Sequence, residues 1–306
     1  MSLVSVIIPY RNRASSLERT LQSVAGQQYR PLQLILVDNG STDGSPLIAR
    51  KFKEKQESAD FSIRLLSESR IGASAARNRG LQDADGKYTF FFDSDDEMSS
   101  DYLVKVVAFA EKNMLETVLS VSEMVTADGT LIPRRYGYSL KPSRQILTGM
   151  LSTQSMFFRT DFIRRIGGWD ERLLRWNDWE LGVRVLLAHP CAGWYREKAF
   201  HRIYLHPESI TGAGFSQSYE PIMKAFQAVE NDLQTATPAQ QRLCRRSLAF
   251  RKAIMAALFY REGHTEYAKE CWGSIVPGQY RFFSALLYIY TRLGGRGAWR
   301  IAARIV

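Results

Sequence analysis

Cysteine is scarce in this sequence, and long apolar runs are missing. The chain of 306 residues has three cysteines, Cys191, Cys244 and Cys271, whose odd number and wide spacing argue against a disulfide framework or a cysteine-ligated zinc site. No stretch reaches the roughly 18 uncharged apolar residues that a membrane-spanning helix needs. The N-terminus lacks the basic and apolar segments of a signal peptide, since a strand-like run begins at Leu3. These absences predict a cytoplasmic protein.

The excess of positive charge lies at one end of the chain. Residues 242–306 hold 12 of the 41 Lys and Arg residues but only 3 of the 31 Asp and Glu residues, so they carry a net charge of +9. The first 241 residues carry +1, which argues against a nucleic-acid enzyme with a basic cleft. The basic end predicts an anionic partner, and an acidic lipid surface and a nucleic acid are the two candidates.

Short apolar runs alternate with helix-like segments in the first hundred residues. Buried strands are predicted at Val4–Ile8, Leu32–Val37, Ile63–Leu66 and Tyr88–Phe92, with helices beginning near Leu17, Pro46 and Ala73. Strands that are continuous apolar runs separated by helices predict an α/β fold with a mostly parallel sheet covered on both faces.

The pattern changes in the second half of the chain. A strand is predicted at Ser155–Arg159, a helix at Asp161–Ile166 and a further helix opened by Asn177 and Asp178. Beyond Phe215 only helical patterns occur, at 217–233, 238–261, 264–272 and 280–305. We therefore predict a domain at residues 1–215 and a basic helical region at residues 216–306.

Polar clusters follow three of the predicted strands. They are Pro9–Arg13, Asp38–Asp43 and Asp93–Asp96. Ligands on parallel sheets bind at the carboxyl ends of the strands, so these clusters are expected to meet in one crevice. Asp and Asn also favour loops for conformational reasons, which is the alternative interpretation for each cluster taken alone.

Asp93, Asp95 and Asp96 form the most informative cluster. Three carboxylates within four residues repel one another unless a cation or solvent relieves them, and oxygen ligands of this kind favour Mg²⁺ or Mn²⁺. The alternative is a solvated acidic turn before the helix that begins near Ser100. Two further features are weaker: Asp38 could bind a base or sugar edge or close an Asx-turn, and Arg77, after the small residues 72–76, suits phosphate.

The order of these motifs resembles that of the GT-A glycosyltransferases of family 2. The resemblance covers about residues 3–211 and rests on Pro9 to Asn12, Val37 to Asp43, Gly72 to Gly80, Phe92 to Asp96, Gly167 to Glu171 and Asp178. It implies a Rossmann-like sheet flanked by helices, a nucleotide-diphospho-sugar donor (UDP-sugar most of all), Mn²⁺ or Mg²⁺, and inversion at the anomeric carbon. The acceptor would be a hydroxyl of a glycan or a lipid-linked glycan.

The resemblance also implies roles for individual residues in donor binding. Asp38 would bind the nucleobase, Arg77 would lie near the nucleotide, and Asp95 would be the metal ligand. Asp93 would contact the ribose or the metal, and Asp96 could also take part. Pro9, Tyr10, Arg11 and Asn12 would form the first donor loop, although Arg11 stands where the family usually has an aromatic residue.

Further residues of the resemblance concern the acceptor side. Asp178 matches the catalytic base, but Asn177 replaces the Glu that usually precedes it, and helix capping is the alternative role. His206 would approach the metal and the diphosphate, with Tyr204 in the place of a common Arg. Trp169 and Trp176 could stack on a sugar, and core packing is the alternative for Trp169.

Two other kinds of protein compete with this interpretation. A non-catalytic nucleotide-sugar-binding or scaffold protein on the same fold would explain Asn177 and the altered first loop. A sugar nucleotidyltransferase would need a glycine-rich loop after the first strand, which Pro9–Arg13 lacks. Residues 280–305 combine arginines with apolar side chains, which predicts either an anionic membrane interface or an ordinary docked helix. No nucleic acid is expected as a partner.

Overall fold

The computed structural model describes residues 1–126, 128–133, 138–198, 200–205, 215–276 and 280–306. It divides the chain into two compact units. The first contains residues 1–135, 151–174 and 189–206, and the second contains residues 136–150, 175–188 and 207–306. The boundary predicted near residue 215 stays a prediction.

All of the described strands belong to the first unit. They are β1 (Val4–Tyr10), β2 (Leu32–Asp38), β3 (Phe61–Ser67), β4 (Tyr88–Phe91), β5 (Glu97–Met98), β6 (Thr117–Leu119), β7 (Ser122–Val125), β8 (Leu131–Pro133), β9 (Met156–Arg159), β10 (Ala192–Trp194) and β11 (His201–Tyr204) among the described residues. The described helices, in chain order, are α1 (Leu17–Ala25), α2 (Ser45–Gln56), α3 (Ala73–Gln82), α4 (Tyr102–Lys112), α5 (Pro142–Thr148), α6 (Thr160–Arg165), α7 (Asn177–Leu187), α8 (Tyr219–Asp232), α9 (Pro238–Arg261), α10 (Thr265–Gly273), α11 (Arg281–Arg292) and α12 (Ala298–Ile305). Helix α5 and helices α7 to α12 lie in the second unit.

Seven strands form the central sheet, in the order β10-β6-β9-β4-β1-β2-β3. Strand β9 runs antiparallel to both of its neighbours, and the other adjacent pairs are parallel. The predicted α/β fold with a mostly parallel sheet is confirmed. Strand β1 is buried along its whole length, as a strand covered on both faces must be. Strands β5, β11, β7 and β8 form a second, smaller sheet.

The register of the central sheet brings three strand ends to one edge. Tyr10 pairs with Asp38 at the ends of β1 and β2, and Ile7 pairs with Phe91 at the end of β4. Because these strands are parallel, the loops that follow them start next to one another. The predicted convergence of the three polar clusters follows from this register.

Helix α3 lies unusually close to the sheet at Gly80. A Cβ atom at this position would lie 2.4 Å from Cγ2 of Ile7 and 3.3 Å from Cγ2 of Val37. Only glycine allows this approach, which brings the preceding turn of α3, with Arg77, against the ends of the strands.

An aromatic cluster lies beneath the acidic turn that follows β4. The His201 ring lies 4.4 Å from that of Tyr102, 5.3 Å from that of Phe90 and 5.4 Å from that of Phe92, measured between centroids. His201 is 1% exposed, and within the described residues neither of its nitrogens has a hydrogen-bond partner. Burial lowers the pKa of His201 to about 3, so the ring is neutral at physiological pH.

The second unit is built around α9. This helix begins with a capping box in which Thr237 and Gln240 bond each other's backbone amides. Helices α5, α10 and α11 pack on α9. The predicted helices beyond residue 215 are confirmed within the described part of the chain, and the Gly294-Gly295 pair separates α11 from α12. None of the described helices combines the length and the apolar character that crossing a bilayer requires.

Ser16 precedes α1, but its hydroxyl does not cap the helix; it donates to the carbonyl oxygen of Ser94 at 3.2 Å. The start of α1 is thereby bonded to the acidic turn.

Candidate active site

The loop that follows β1 is joined to the loop that follows β2 through Asn12. The backbone amide of Asn12 donates to Oγ of Ser41 at 3.1 Å, and the side-chain Oδ1 of Asn12 accepts the backbone amide of Thr42 at 2.8 Å. Asn12 has a φ of 51°, a left-handed conformation that asparagine tolerates better than most residues. Arg11 is exposed next to it, and Pro9 is buried at the end of β1. Asn12 therefore holds the two predicted donor loops together.

The side chain of Asp38 bonds back to its own loop at the end of β2. Its Oδ1 accepts the backbone amide of Ser41 at 3.0 Å, which is three residues further on, whereas an Asx-turn uses the amide two residues on. The contact of Asp38 with a nucleobase stays a prediction. Tyr10 lies beside Asp38, 5% exposed, and its pKa is raised by burial and then by the charges of Asp38 and Asp43, so its hydroxyl stays protonated.

The acidic turn after β4 separates its three carboxylates into different environments. Oδ1 of Asp93 accepts a hydrogen bond from Nη2 of Arg77 at 2.7 Å. Oδ2 of Asp95 lies 3.4 Å from Nε of Arg13. Asp96 is 2% exposed, and its Oδ1 accepts the backbone amide of Tyr204 at 3.0 Å. The mutual repulsion expected of these carboxylates is thus relieved in part by two arginines.

Gln154 joins two of these carboxylates. Its Nε2 donates to Oδ2 of Asp93 at 2.7 Å and also to Oδ2 of Asp96. Burial raises the pKa of Asp96 well above its usual range, and the charges of Asp93 and Asp95 raise it further. Asp96 is therefore a buried anchor of the turn, whereas the side chain of Asp95 is 21% exposed and can reach a ligand.

Arg77 lies between Asp93 and Trp169. Its guanidinium carbon lies 4.2 Å from the centroid of the Trp169 ring, and the residue is 5% exposed. Among the described residues, its Nε and Nη1 have no hydrogen-bond partner. The position of Arg77 near the nucleotide stays a prediction.

The interpretation of Trp169 as a sugar-stacking residue requires correction. The residue is 2% exposed, with Arg77 against its ring and the edge of Phe91 at 5.3 Å between centroids. Asn78 holds its backbone, because Oδ1 accepts the Trp169 amide at 2.8 Å and Nδ2 donates to the Trp169 carbonyl at 2.9 Å. Trp169 packs in the core and positions Arg77, as the alternative stated.

Two predicted residues belong to the second unit. Asp178 lies in the first turn of α7 and accepts the Trp179 amide at 2.8 Å. Trp176 precedes this helix with a φ of 58°, and its partly exposed ring packs against Trp179 and Phe226. The N-cap position of α7 is thus occupied by Trp176, and not by Asn177 or Asp178. The interpretation of Asp178 as the catalytic base stays a prediction.

The predicted metal site is tested by its donor atoms. Within the described residues, no three His, Cys, Asp or Glu side chains are grouped as a protein-only metal site would require. Mg²⁺ and Mn²⁺ are commonly held by one or two carboxylates together with substrate phosphates, and Asp95 and Asp93 fit that arrangement. His206 lies outside the described residues.

Three residues of this site were not assigned from the sequence. Arg13 neutralises Asp95, Gln154 bridges Asp93 and Asp96, and the Tyr204 backbone holds Asp96. The available signal for Gln154 was the polar stretch Ser152–Ser155 immediately before an apolar strand. Arg13 had a signal too, because it lies in the loop that follows β1.

Comparison with known proteins identifies the family. The sequence model described as "Glycosyl transferase family 2" matches residues 5–167, which is more than half of the chain and includes all three strand-end loops. The chain belongs to glycosyl transferase family 2. It is a glycosyltransferase with a GT-A fold, as the resemblance implied.

Individual relatives of this family-2 chain agree with that assignment. The glycosyltransferase AglE of Haloferax volcanii is 26% identical over 212 residues, which are 65% of this chain and 69% of AglE. Among solved structures, Staphylococcus aureus TarS 1–349 in complex with UDP-GlcNAc aligns with a TM-score of 0.72 at 18% identity, over 98% of this chain and 90% of that one. The mannosyltransferase PcManGT of Pyrobaculum calidifontis, in complex with GDP-Man and Mn²⁺, has a TM-score of 0.62 at 18% identity, over 99% of this chain and 86% of that one.

Proposed function

We propose that this protein is an inverting hexosyl- or hexosaminyltransferase that moves a sugar from a UDP-sugar to a hydroxyl of a glycan or a lipid-linked glycan. The observation that supports it is the set of side-chain bonds at the ends of β1, β2 and β4. Asn12 joins the first two loops, while Arg77 pairs with Asp93 beside them. The UDP-GlcNAc complex of TarS, which has the same fold, supports the choice of donor.

We propose the following division of work among the residues. Oδ2 of Asp38 accepts a hydrogen bond from the nucleobase, and Arg77, paired with Asp93, lies near the nucleotide and favours its negative charge. Asp95, together with Asp93, holds Mn²⁺ or Mg²⁺, which when bound supplies Lewis-acid neutralisation of the departing diphosphate. The Mn²⁺ complex of PcManGT supports this cofactor.

The proton of the acceptor hydroxyl is assigned to Asp178. As the hydroxyl attacks the anomeric carbon from the face opposite the diphosphate, the bond to the new sugar forms and the bond to the diphosphate breaks. The carboxylate of Asp178 takes the hydroxyl proton in that step. The first turn of α7 favours a negative charge at this position.

The cysteines support a cytoplasmic location as part of the proposal. All three are free, and Cys244 and Cys271 are buried. Burial raises the pKa of each of these two thiols to about 12, which keeps them protonated and unreactive. Free thiols of this kind suit a reducing compartment.

Hydrolysis of the donor tests the function without knowledge of the acceptor. Release of UDP from UDP-GlcNAc would be measured with Mn²⁺, with GDP-Man as the alternative donor. We expect Asp178→Asn to lower turnover at least about a hundredfold while UDP binding is retained, because a general base contributes about that much or more. Asp95→Asn should instead abolish the Mn²⁺ dependence of UDP binding in calorimetry.

Asp161→Asn is the matched control for Asp178→Asn. Asp161 also lies in the first turn of a helix, α6, and it is exposed. The control should keep wild-type turnover. Near wild-type turnover in Asp178→Asn would show that the base is wrongly assigned. UDP binding without hydrolysis of any donor would favour the non-catalytic protein.

A further inference from the structure

Helix α11 has an unusual distribution of side chains. The residues buried on its inner face are Ser284, Leu287 and Thr291. Its outer face and the following residue carry six large apolar side chains that are between 41% and 82% exposed: Phe282, Phe283, Leu286, Ile289, Tyr290 and Leu293. An ordinary surface helix buries its apolar stripe and exposes its polar one. Two of the three inner residues here are hydroxyl residues, and the outer face is almost wholly apolar.

The exposed apolar residues form one continuous surface. At about 100° per residue, positions 282, 286, 289 and 293 lie in one row, and Phe283 and Tyr290 lie beside it. The inner residues still anchor the helix, because α11 packs on α9. A helix docked on the protein and a helix at a membrane interface are therefore compatible. One face of α11 packs on α9, and the opposite, apolar face is exposed.

Arginines lie in the same segment of the chain as this apolar surface. Residues 280–306 contain five arginines and no acidic residue, and all five, Arg281, Arg292, Arg296, Arg300 and Arg304, are exposed. Arg296, Arg300 and Arg304 also line a depression of about 420 Å³ together with Tyr290, Trp299 and Ile301. The Arg300 guanidinium lies 4.9 Å from the Trp299 ring centroid, so an aromatic ring and a cation share one wall.

We propose that this surface docks on an anionic phospholipid bilayer. It is named here the tail surface, and it is formed by the exposed apolar residues of α11, Leu293 and the five arginines. The apolar side chains enter the boundary between headgroups and acyl chains, with α11 in the plane of the membrane. The arginines bind lipid phosphates, and the depression beside α12 receives a headgroup. Trp299 and Tyr290 are residues of the kind that concentrate at this boundary.

Charge decides between a membrane and other occupants. A second copy of the chain would bring five arginines against five more without an acidic residue from either tail. A nucleic acid would satisfy the arginines, but it would leave six large apolar side chains without a matching surface. An anionic bilayer satisfies both parts of the tail surface at once. The inference goes beyond the proposed transfer reaction and does not depend on it.

Vesicle co-sedimentation of the full-length chain tests the inference. Vesicles of phosphatidylcholine alone would be compared with vesicles containing about 30 mol% phosphatidylglycerol, at about 0.1 M salt. We expect binding to the anionic vesicles and at least about tenfold weaker binding to the neutral ones. The triple variant Arg296→Gln/Arg300→Gln/Arg304→Gln should bind about a hundredfold more weakly, since each charge contributes about 1 kcal/mol near an anionic surface.

A second variant tests the apolar part of the surface. Leu286→Ser/Ile289→Ser/Leu293→Ser changes exposed side chains only, so it should fold normally and lose at least about tenfold in vesicle binding. Leu47→Ser/Val104→Ser replaces exposed apolar residues of α2 and α4, and Arg50→Gln/Lys51→Gln/Lys55→Gln removes three exposed cations of α2. Both controls should bind like the wild type.

The outcomes separate the alternatives. Equal binding to both kinds of vesicle, no binding, or wild-type binding by the tail variants would overturn the inference. A dimer in light scattering that the serine variant dissociates, with no vesicle binding, would show an interface between copies instead. Donor hydrolysis in solution should be unchanged in the tail variants, and Asp178→Asn should still bind vesicles, so each proposal can fail without the other.

Discussion

At the scale of the residue, Gln154 joins two carboxylates of the acidic turn. Its amide group donates to two carboxylates, and the residue is 3% exposed, so water cannot easily replace it. The functional consequence is that Asp93 and Asp96 have fixed orientations before any ligand binds.

Gln154→Leu should lower both stability and nucleotide affinity. Removal of the donor leaves the buried Asp96 with an unsatisfied oxygen, which costs about 1–3 kcal/mol of unfolding free energy. Asp93 also loses a partner, so UDP should bind more weakly in calorimetry. Gln145→Leu is the matched control, because Gln145 is equally buried but donates to the carbonyl of Trp179. A variant at Gln154 with unchanged UDP affinity would show that the bridge is structural only.

The sequence could predict only part of this site. Asp38, Asp93 and Arg77 were accessible because each follows a recognisable strand or a run of small residues. For Gln154 the polar stretch before β9 was the available signal, but it does not identify the partners of Gln154, which are 61 and 58 residues away. Trp169 was identified from the sequence, but its contacts were not. The residues around a tryptophan near a binding site do not indicate whether its ring faces a sugar or an arginine.

At the scale of elements, the position of α3 is set by its contact with the sheet. Gly80 lets the helix approach β1 and β2 more closely than any side chain would permit, and Arg77 lies one turn earlier on the same helix. The position of α3 against the sheet therefore fixes the distance between Arg77 and Asp93.

Gly80→Ala should destabilise the protein even though alanine favours helices. The new methyl group would lie 2.4 Å from Ile7, so α3 must shift, and we expect a loss of about 1–3 kcal/mol in urea unfolding together with weaker UDP binding. Gly273→Ala is the control in α10, because within the described residues its added Cβ meets no atom within 4 Å apart from its chain neighbours and its own helix backbone. That change should be neutral or stabilise the protein by up to about 1 kcal/mol. Equal effects of the two substitutions would contradict the close approach.

Elements were more predictable than their directions. The continuous apolar runs at β1, β2 and β4 indicate strands covered on both faces, and the structure agrees. The antiparallel direction of β9 could not be predicted, because a four-residue apolar run has the same pattern in either orientation. Its direction is set by pairing with β4 and β6, which depends on residues far away in the chain.

At the scale of the whole molecule, two buried groups oppose each other as pH falls. His201 is neutral when folded, with its pKa lowered to about 3, whereas the unfolded chain binds a proton near pH 6.5. Protons therefore favour the unfolded state below pH 6.5, and stability is lost as pH falls. Asp96 acts in the opposite sense, because its raised pKa lets the folded state take up a proton first.

Comparison with His201→Phe isolates the histidine contribution. The stability difference between variant and wild type should move in favour of the variant by about 1.4 kcal/mol per pH unit below pH 6.5. Urea unfolding at pH 7.5, about 6 and about 5 would measure it. His264→Gln, which replaces an exposed histidine, is the control. Parallel loss of stability in wild type and His201→Phe would show that His201 is not the group responsible.

The bonds that Asn12 makes to the neighbouring loop have a thermodynamic consequence. A flexible loop must give up conformational freedom when it closes on a ligand, and that entropy is subtracted from the affinity. Here the left-handed Asn12 and its contacts with Ser41 and Thr42 fix the backbone beforehand. Preorganisation of this kind leaves more of the intrinsic attraction between protein and nucleotide to appear as measured binding.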